Sequence, residues 1–409
     1  MNIFLKALLK GELTPTPKLE KKMNAMPGIN KRYREVEKSD VMNEYRQLHA
    51  LMQSEAYQIN KKNTARLVTL EKSSKIKQYK ALLNNSQLQQ FIAFAADATQ
   101  YAQLSDVEAV KNNATLKLMK KMDGSKEMRV WRQLQHDTDV IEYLNLRNII
   151  VDYSEQEKRY AYLSADANVK FFLNQDEKKH QHFESYETIF EDNFDLSDIS
   201  AKGWKPGFAY PDGFKAVHSY SDEQQAYVGG KNIEIKDSIL YLHTKKEEAT
   251  GASWDAKKGM ITEHFHYTSD VIYNTAEFEE GCILQVKARC RGFLNHGIYL
   301  RSKKHIPFIS LFNYAEQKAY CELKASIKEN DYKHELKGLQ PIPFAIFTMI
   351  WGKDEIIWYL NDMEVHRTKN IIPKGEKLFL HMFSFQFKGK RISTGQLEVD
   401  WVRAYRMKK

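Results

Sequence analysis

From Thr188 to the C-terminus the sequence runs in short alternating stretches rich in Tyr, Phe, Ile and Val, separated by Gly, Asn and Asp. Successive strand side chains point to opposite faces, so such alternation gives each strand one apolar face that must be covered. Many short strands of this kind in one chain specify an all-β, two-sheet antiparallel sandwich of the jelly-roll type. The first half has a different texture. From about Val41 to Asn174 it is rich in Leu, Gln, Lys and Ala with few glycines, which reads as helical. The fold class expected is therefore multidomain, α followed by all-β. The divisions expected are a basic arm (residues 1–40), a helical repeat or bundle (41–175), a charged linker (176–187) and the sandwich (188–409).

An internal repeat marks the helical half. An aromatic residue is followed by Leu three positions on and by a second aromatic twelve positions on. The copies are Tyr45/Leu48/Tyr57, Tyr79/Leu82/Phe91, Trp131/Leu134/Tyr143 and Tyr160/Leu163/Phe172. Between the aromatics lie residues that cap helix starts: Ser54, Asn84-Asn85-Ser86, Asp137-Thr138-Asp139, and Ser164 before Asp166. Each copy reads as helix, turn, helix, and one copy cannot bury its apolar face alone. The copies are spaced 34, 52 and 29 residues apart, which leaves a bundle and a solenoid both open. Core packing at helical spacing is the expected role of these aromatics, with a groove for a protein partner as the alternative.

Charge is uneven along the chain. The net charge is +9, and residues 1–100 carry 17 Lys+Arg against 9 Asp+Glu. A solvated helical surface explains this, and no nucleic-acid-binding module accompanies it. Three cysteines, Cys282, Cys290 and Cys321, are an odd number and read as buried thiols in a reducing compartment. Residues 1–10 are too short and interrupted for a signal peptide, and no apolar run reaches membrane-spanning length. The expectation is a cytoplasmic protein, or one exported without a recognisable signal. His180 and His182 in the linker have no further ligands beside them, so no metal and no cofactor is expected.

The stretch Pro307-Phe308-Ile309-Ser310-Leu311-Phe312-Asn313-Tyr314 reads as a buried strand. Around it stand Ile189-Phe-Glu-Asp-Asn-Phe194, Trp204, Asn232-Ile-Glu-Ile-Lys-Asp-Ser-Ile-Leu-Tyr-Leu242 and Tyr267-Thr-Ser-Asp-Val-Ile272. After it come Thr348-Met-Ile-Trp-Gly-Lys-Asp-Glu-Ile-Ile-Trp-Tyr-Leu-Asn-Asp362 and Leu397-Glu-Val-Asp-Trp-Val-Arg-Ala-Tyr405. In order and spacing these resemble the framework motifs of glycoside hydrolase family 16, the laminarinase and β-glucanase family. The resemblance implies a jelly roll and retaining hydrolysis of β-glycosidic bonds by two carboxylates about 5–5.5 Å apart. The family's strand reads Glu-x-Asp-x-x-Glu. Here those positions hold Phe308, Ser310 and Asn313, none of which can attack an anomeric carbon or donate a proton as an acid. A second family segment, with His, Tyr and Glu, falls on Ala345, Phe347 and Ile350, so polar cleft positions read as apolar.

No catalytic residue is therefore expected. Asn313, Tyr314, Tyr299, His296 and His305 are the candidates for binding a polysaccharide or oligosaccharide, since ring faces stack on sugar C–H groups and amides bond hydroxyls. Three readings follow: a catalytically degenerate glycan- or protein-binding member of the fold; an active hydrolase of β-glucan-like polysaccharide with relocated carboxylates; and an assembly protein acting through its helical domain. For the second, Glu316, Glu322 and Glu263 are the nearest acids, and each reads as a surface carboxylate.

Overall fold

Serine, asparagine and aspartate set the helix boundaries of the first half, as their side chains accept from otherwise unpaired backbone amides. Ser54 accepts from Tyr57 N, Asn85 from Gln87 N and Leu88 N, Asp137 from Asp139 N, and Asp166 from Asn168 N and Val169 N. The computed structural model describes residues 7, 10–11, 13–211, 215–316, 318–327, 332–339 and 343–408. Of the opening stretch 1–10, read above as unlike a signal peptide, only residues 7 and 10 fall among these. Contacts divide the chain into two units. Lys31–Gln175 forms one; Asp176–Lys409 forms the other together with the N-terminal residues as far as Asn30.

In the helical unit every repeat copy straddles a break between two helices: Asp40–Gln53 and Glu55–Lys72, Ser74–Leu83 and Ser86–Ala96, Lys126–Gln135 and Thr138–Ile149, Ser154–Ala165 and Ala167–Leu173. The copies pair in a nested order. Tyr45 of the first stacks on Tyr160 of the fourth at 5.6 Å, and Tyr79 of the second stacks on Trp131 of the third at 5.2 Å. Two apolar cores result, one around Ile76, Leu88, Phe91, Trp131 and Tyr143, the other around Met42, Tyr45, Leu163 and Val169. Pairing first with last is bundle geometry; in a solenoid each copy would meet its sequence neighbour. Among the described residues no helix is long and apolar enough to cross a membrane.

The β-unit is a two-sheet sandwich. In chain order its strands are β1 (Tyr186–Asp192), β2 (Trp204–Pro206), β3 (Ser219–Tyr220), β4 (Gln225–Tyr227), β5 (Ile233–Lys236) and β6 (Ile239–Asp255). Then follow β7 (Gly259–Ser269), β8 (Val271–Phe278), β9 (Cys282–Arg291), β10 (Asn295–Arg301), β11 (Phe308–Ala315) and β12 (Lys318–Lys324). The last are β13 (Tyr332–Leu336), β14 (Ala345–Trp351), β15 (Glu355–Leu360), β16 (Met363–Lys369), β17 (Leu378–Phe385) and β18 (Gly395–Met407). A seven-stranded sheet runs β13-β12-β11-β10-β17-β8-β2. An eleven-stranded one runs β16-β15-β14-β9-β18-β6-β7-β4, with β1 on β18 and β3 and β5 on β6. Pairings are antiparallel except β3 with β6 and β4 with β7. The core lies between the sheets and includes Trp204, Leu284, Val286, Ile298, Phe312, Met349, Trp358 and all three thiols. Cys282, Cys290 and Cys321 are free and buried. Trp204 is buried with its indole nitrogen donating to Asp192 at 2.8 Å.

Two segments differ from expectation. Residues 176–187 are not a linker: Asp176 caps a helix, Glu177–Glu184, and β1 begins at Tyr186. His180 is buried there with Nδ1 2.9 Å from Asn30 Oδ1, while His182 is exposed. One buried helical position is invisible among so many charges. The basic arm contains a long helix, Thr16–Glu37. Pro15 and Pro17 sit at its start, where a missing amide costs nothing, and only Pro27 is interior. Its first half lies on the larger sheet: Glu20 pairs with Lys287 at 2.8 Å and accepts from Trp401 Nε1 at 2.8 Å.

Candidate functional site

Strand β11 crosses the seven-stranded sheet, and two register shifts decide where its side chains point. Pairing slips between Ile298 and Tyr299 on β10, and between Ile309 and Asn313 against β12. A bulge of this kind turns consecutive residues to one side. Ile309, Leu311, Phe312 and Tyr314 thus all enter the inter-sheet core, whereas Phe308 joins a cluster on the sheet's outer face with Phe208, Tyr227, Tyr299 and Phe383. At the shift Ser310 closes the ladder with its side chain: Oγ accepts from Glu322 N at 2.7 Å, and its carbonyl accepts from Trp358 Nε1 at 2.8 Å.

Glu322 is the centre of the outer face. It lies on β12, only 8% exposed, and its Oε2 accepts from Tyr299 OH at 2.6 Å and from Asn313 Nδ2 at 2.7 Å. Lys333 Nζ meets Oε1 at 2.7 Å. Asn313 Oδ1 is buried without a partner among the described residues. The Tyr299 ring stacks on Phe383 at 5.3 Å, which Gly297 permits: a Cβ there would sit 2.6 Å from the ring.

Beside this cluster the segment around Phe208 lies on the sheet. Ala209 N donates to His381 Nε2 at 3.0 Å, and Phe208 N to Ala216 O at 2.9 Å. Gly207, at φ +99°, makes the turn; a Cβ would fall 2.8 Å from Ala216 O. Phe208 is buried against Tyr227, His305, His381 and Phe383. The Arg301 guanidinium carbon stands 5.7–5.9 Å from the rings of Phe208, Tyr299, Phe308 and Phe383, with Nε buried and unpartnered among the described residues. Cations over ring faces gain from the ring quadrupole.

Burial governs the protonation of this region. It pushes His381 down to about 3 and His296 down to about 4, and it drives His305 far below the usual imidazole value, helped by the Arg301 charge. Burial also raises the Glu223 carboxyl to about 8; its Oε2 accepts from Tyr220 N at 2.9 Å. The outer face thus presents phenol and phenyl rings beside the Arg301 guanidinium, with the His381 imidazole buried and neutral beneath them. Such groups bind hydroxylated or anionic ligands by stacking and hydrogen bonding.

No family model matches the chain. Solved structures resemble its β-unit. The endo-β-1,3-glucanase of Pyrococcus furiosus is 15% identical, with 55% of this chain and 95% of that one covered at a TM-score of 0.43. A non-specific endo-β-1,3(4)-glucanase of family GH16 is 18% identical, over 55% and 92%, at 0.44. The laminarinase catalytic domain of Thermotoga maritima is 15% identical, over 55% and 100%, at 0.42. A stretch of 79 residues, 19% of this chain, is 34% identical to the constitutive acid phosphatase of Saccharomyces cerevisiae; it spans 17% of that protein. The two-sheet sandwich itself is established by the strand order.

The structure separates the residues singled out from sequence. Tyr299 and Asn313 meet, through Glu322. Tyr314 does not join them: the bulge turns it into the inter-sheet core, where it stacks on Phe312 at 6.3 Å. His296 lies on β10, fully buried, with Nδ1 2.8 Å from Ser384 Oγ. His305 reaches Tyr220 OH at 3.0 Å from a turn residue with φ +66°. Ala345 and Phe347 are not cleft positions, because β14 belongs to the larger sheet and both face the core. Among the acids, Glu316 is exposed and pairs with Lys390 at 2.9 Å, and Glu263 lies 3.3 Å from Lys388. Glu322 is not a surface carboxylate. Phe208, Arg301 and His381 had no sequence signal, as each acts through contacts distant in the chain; Glu223 had none because its burial is set by the tertiary fold, although its partners Tyr220 and Tyr227 are near in sequence.

Proposed function

We propose that the β-unit binds a glycan on the outer face of its seven-stranded sheet without cleaving it. The observation that carries this reading is the side-chain chemistry of β11: Phe308, Ser310 and Asn313 hold no acid, and they are engaged with rings, a backbone amide and Glu322. Retaining cleavage needs two carboxylates about 5–5.5 Å apart, one as nucleophile and one as acid/base. Half-buried Tyr210, Tyr220, Phe308 and Phe385 leave ring surface at the edge of the cluster, with Arg301 beside it. The strand motifs make a β-glucan the ligand class of choice. In affinity electrophoresis the full chain is expected to be retarded by laminarin or lichenan, with Phe308→Ala reducing retardation several-fold and no reducing sugar released. Turnover of either polysaccharide would sink this reading.

A second reading, a retaining hydrolase with relocated acids, is favoured by two features. Glu322 stands against Asn313, and burial keeps Glu223 protonated up to about pH 8, as a general acid requires. It predicts release of reducing sugar that Glu322→Gln abolishes.

A further inference from the structure

Away from that face, three side chains of the β6–β7 hairpin converge in a way neither the repeat nor the strand motifs explain. His264 and His266 are two residues apart on β7, so both project to the same side. Across the ladder Thr250 pairs with His264 and Ala249 with Phe265; then the register shifts, so that Lys246 faces Tyr267. The extra residue places both Glu247 and Glu248 opposite His266. Glu247 turns to Thr268, accepting from its hydroxyl at 3.0 Å, and Glu248 turns to the histidines. Its Oε2 is 2.8 Å from His264 Nε2, and its Oε1 is 2.8 Å from His266 Nδ1. The ligand atoms of all three lie within 4.8 Å of one another. The inward neighbour Phe265 is buried and anchors the strand beneath them.

We infer that Glu248, His264 and His266 form a binding site for a divalent transition-metal ion of the zinc class. Two imidazole nitrogens and one carboxylate oxygen are a donor set that such ions favour, with a fourth position left to water. Bonds of about 2.0–2.2 Å at tetrahedral angles put ligand atoms roughly 3.4 Å apart, so the two short contacts need open by only about half an ångström. The side chains are 61–72% exposed, which leaves room for that movement. The oxygen-only ions magnesium and calcium would be poor occupants, because two of the three donors are nitrogen.

Two ions test this: tag-free, chelator-treated full chain is titrated with Co2+, read by visible absorption, and with Zn2+ by competition. One ion per chain is expected, with a tetrahedral cobalt spectrum. His264→Ala and His266→Ala should each weaken binding at least tenfold, and Glu248→Gln several-fold, while His366→Ala, in a separate stacked histidine pair, leaves it unchanged. Exposure makes these variants fold normally, which far-UV circular dichroism of the metal-free proteins checks. No stoichiometric binding by the natural chain, or binding that survives His264→Ala with His266→Ala, would overturn the site.

Discussion

Replacing Glu322 by Leu removes the acceptor shared by Tyr299 OH and Asn313 Nδ2, both on residues no more than 7% exposed. Leu keeps most of the volume, so the loss is chiefly polar. Each buried donor left without an acceptor costs about 1–3 kcal/mol, giving roughly 2–6 kcal/mol for the pair. The Lys333 contact adds little, because that side chain is 45% exposed. For a unit of this size, about 4 kcal/mol lowers the melting temperature by roughly 8–16 °C. Five of the six tryptophans, all but Trp131, lie in the β-unit, so their fluorescence follows its unfolding in urea. Adding Asn313→Leu to Glu322→Leu removes one stranded donor and the already unpartnered Asn313 Oδ1. The double variant should therefore recover about 1–3 kcal/mol over Glu322→Leu. A loss below about 1 kcal/mol for Glu322→Leu, or simple additivity in the double variant, would refute the buried network. It would return Glu322 to the status of an accessible acid.

Glu223 gives a pH prediction. Its carboxyl is raised from 4.5 to about 8 by burial, so between those values the folded chain holds a proton that the unfolded chain has lost. Stability from this group is full below about pH 4.5 and falls as pH rises to about 8. Glu223→Gln, which keeps the acceptor for Tyr220 N, should flatten that fall and be the more stable form at about pH 9 in urea titrations. In the helical unit, Trp131→Ala removes a buried ring stacked on Tyr79 and should cost about 3–5 kcal/mol. Circular dichroism at 222 nm should show the helical transition shifted, with the β-unit's tryptophan transition in place.

The helix breaks were readable at Ser54, Asn85, Asp137 and Asp166 because capping is decided within three residues of sequence. The edges of β11 were readable to within one residue for a similar reason: alternation and turn residues are local. The same locality explains the errors. Tyr314 reads in sequence as a cleft residue beside Asn313 and Tyr299, and the bulge in β11 sends it into the inter-sheet core instead. Ala345 and Phe347 were assigned to the cleft by alignment to a motif, although sheet membership depends on which strand pairs with which.

By itself the sequence determined a helical half built from aromatic pairs and a sandwich whose β11 carries no acidic side chain. Periodicity, capping and residue identity are properties of short stretches. Only the tertiary structure decided that Glu322 is buried between Tyr299 and Asn313, that Phe208 lies over Arg301 and His381, and that Glu248 meets two histidines. Each of those depends on strand register and on contacts between segments far apart in the chain, and a shift of one residue in pairing sends a side chain to the opposite face.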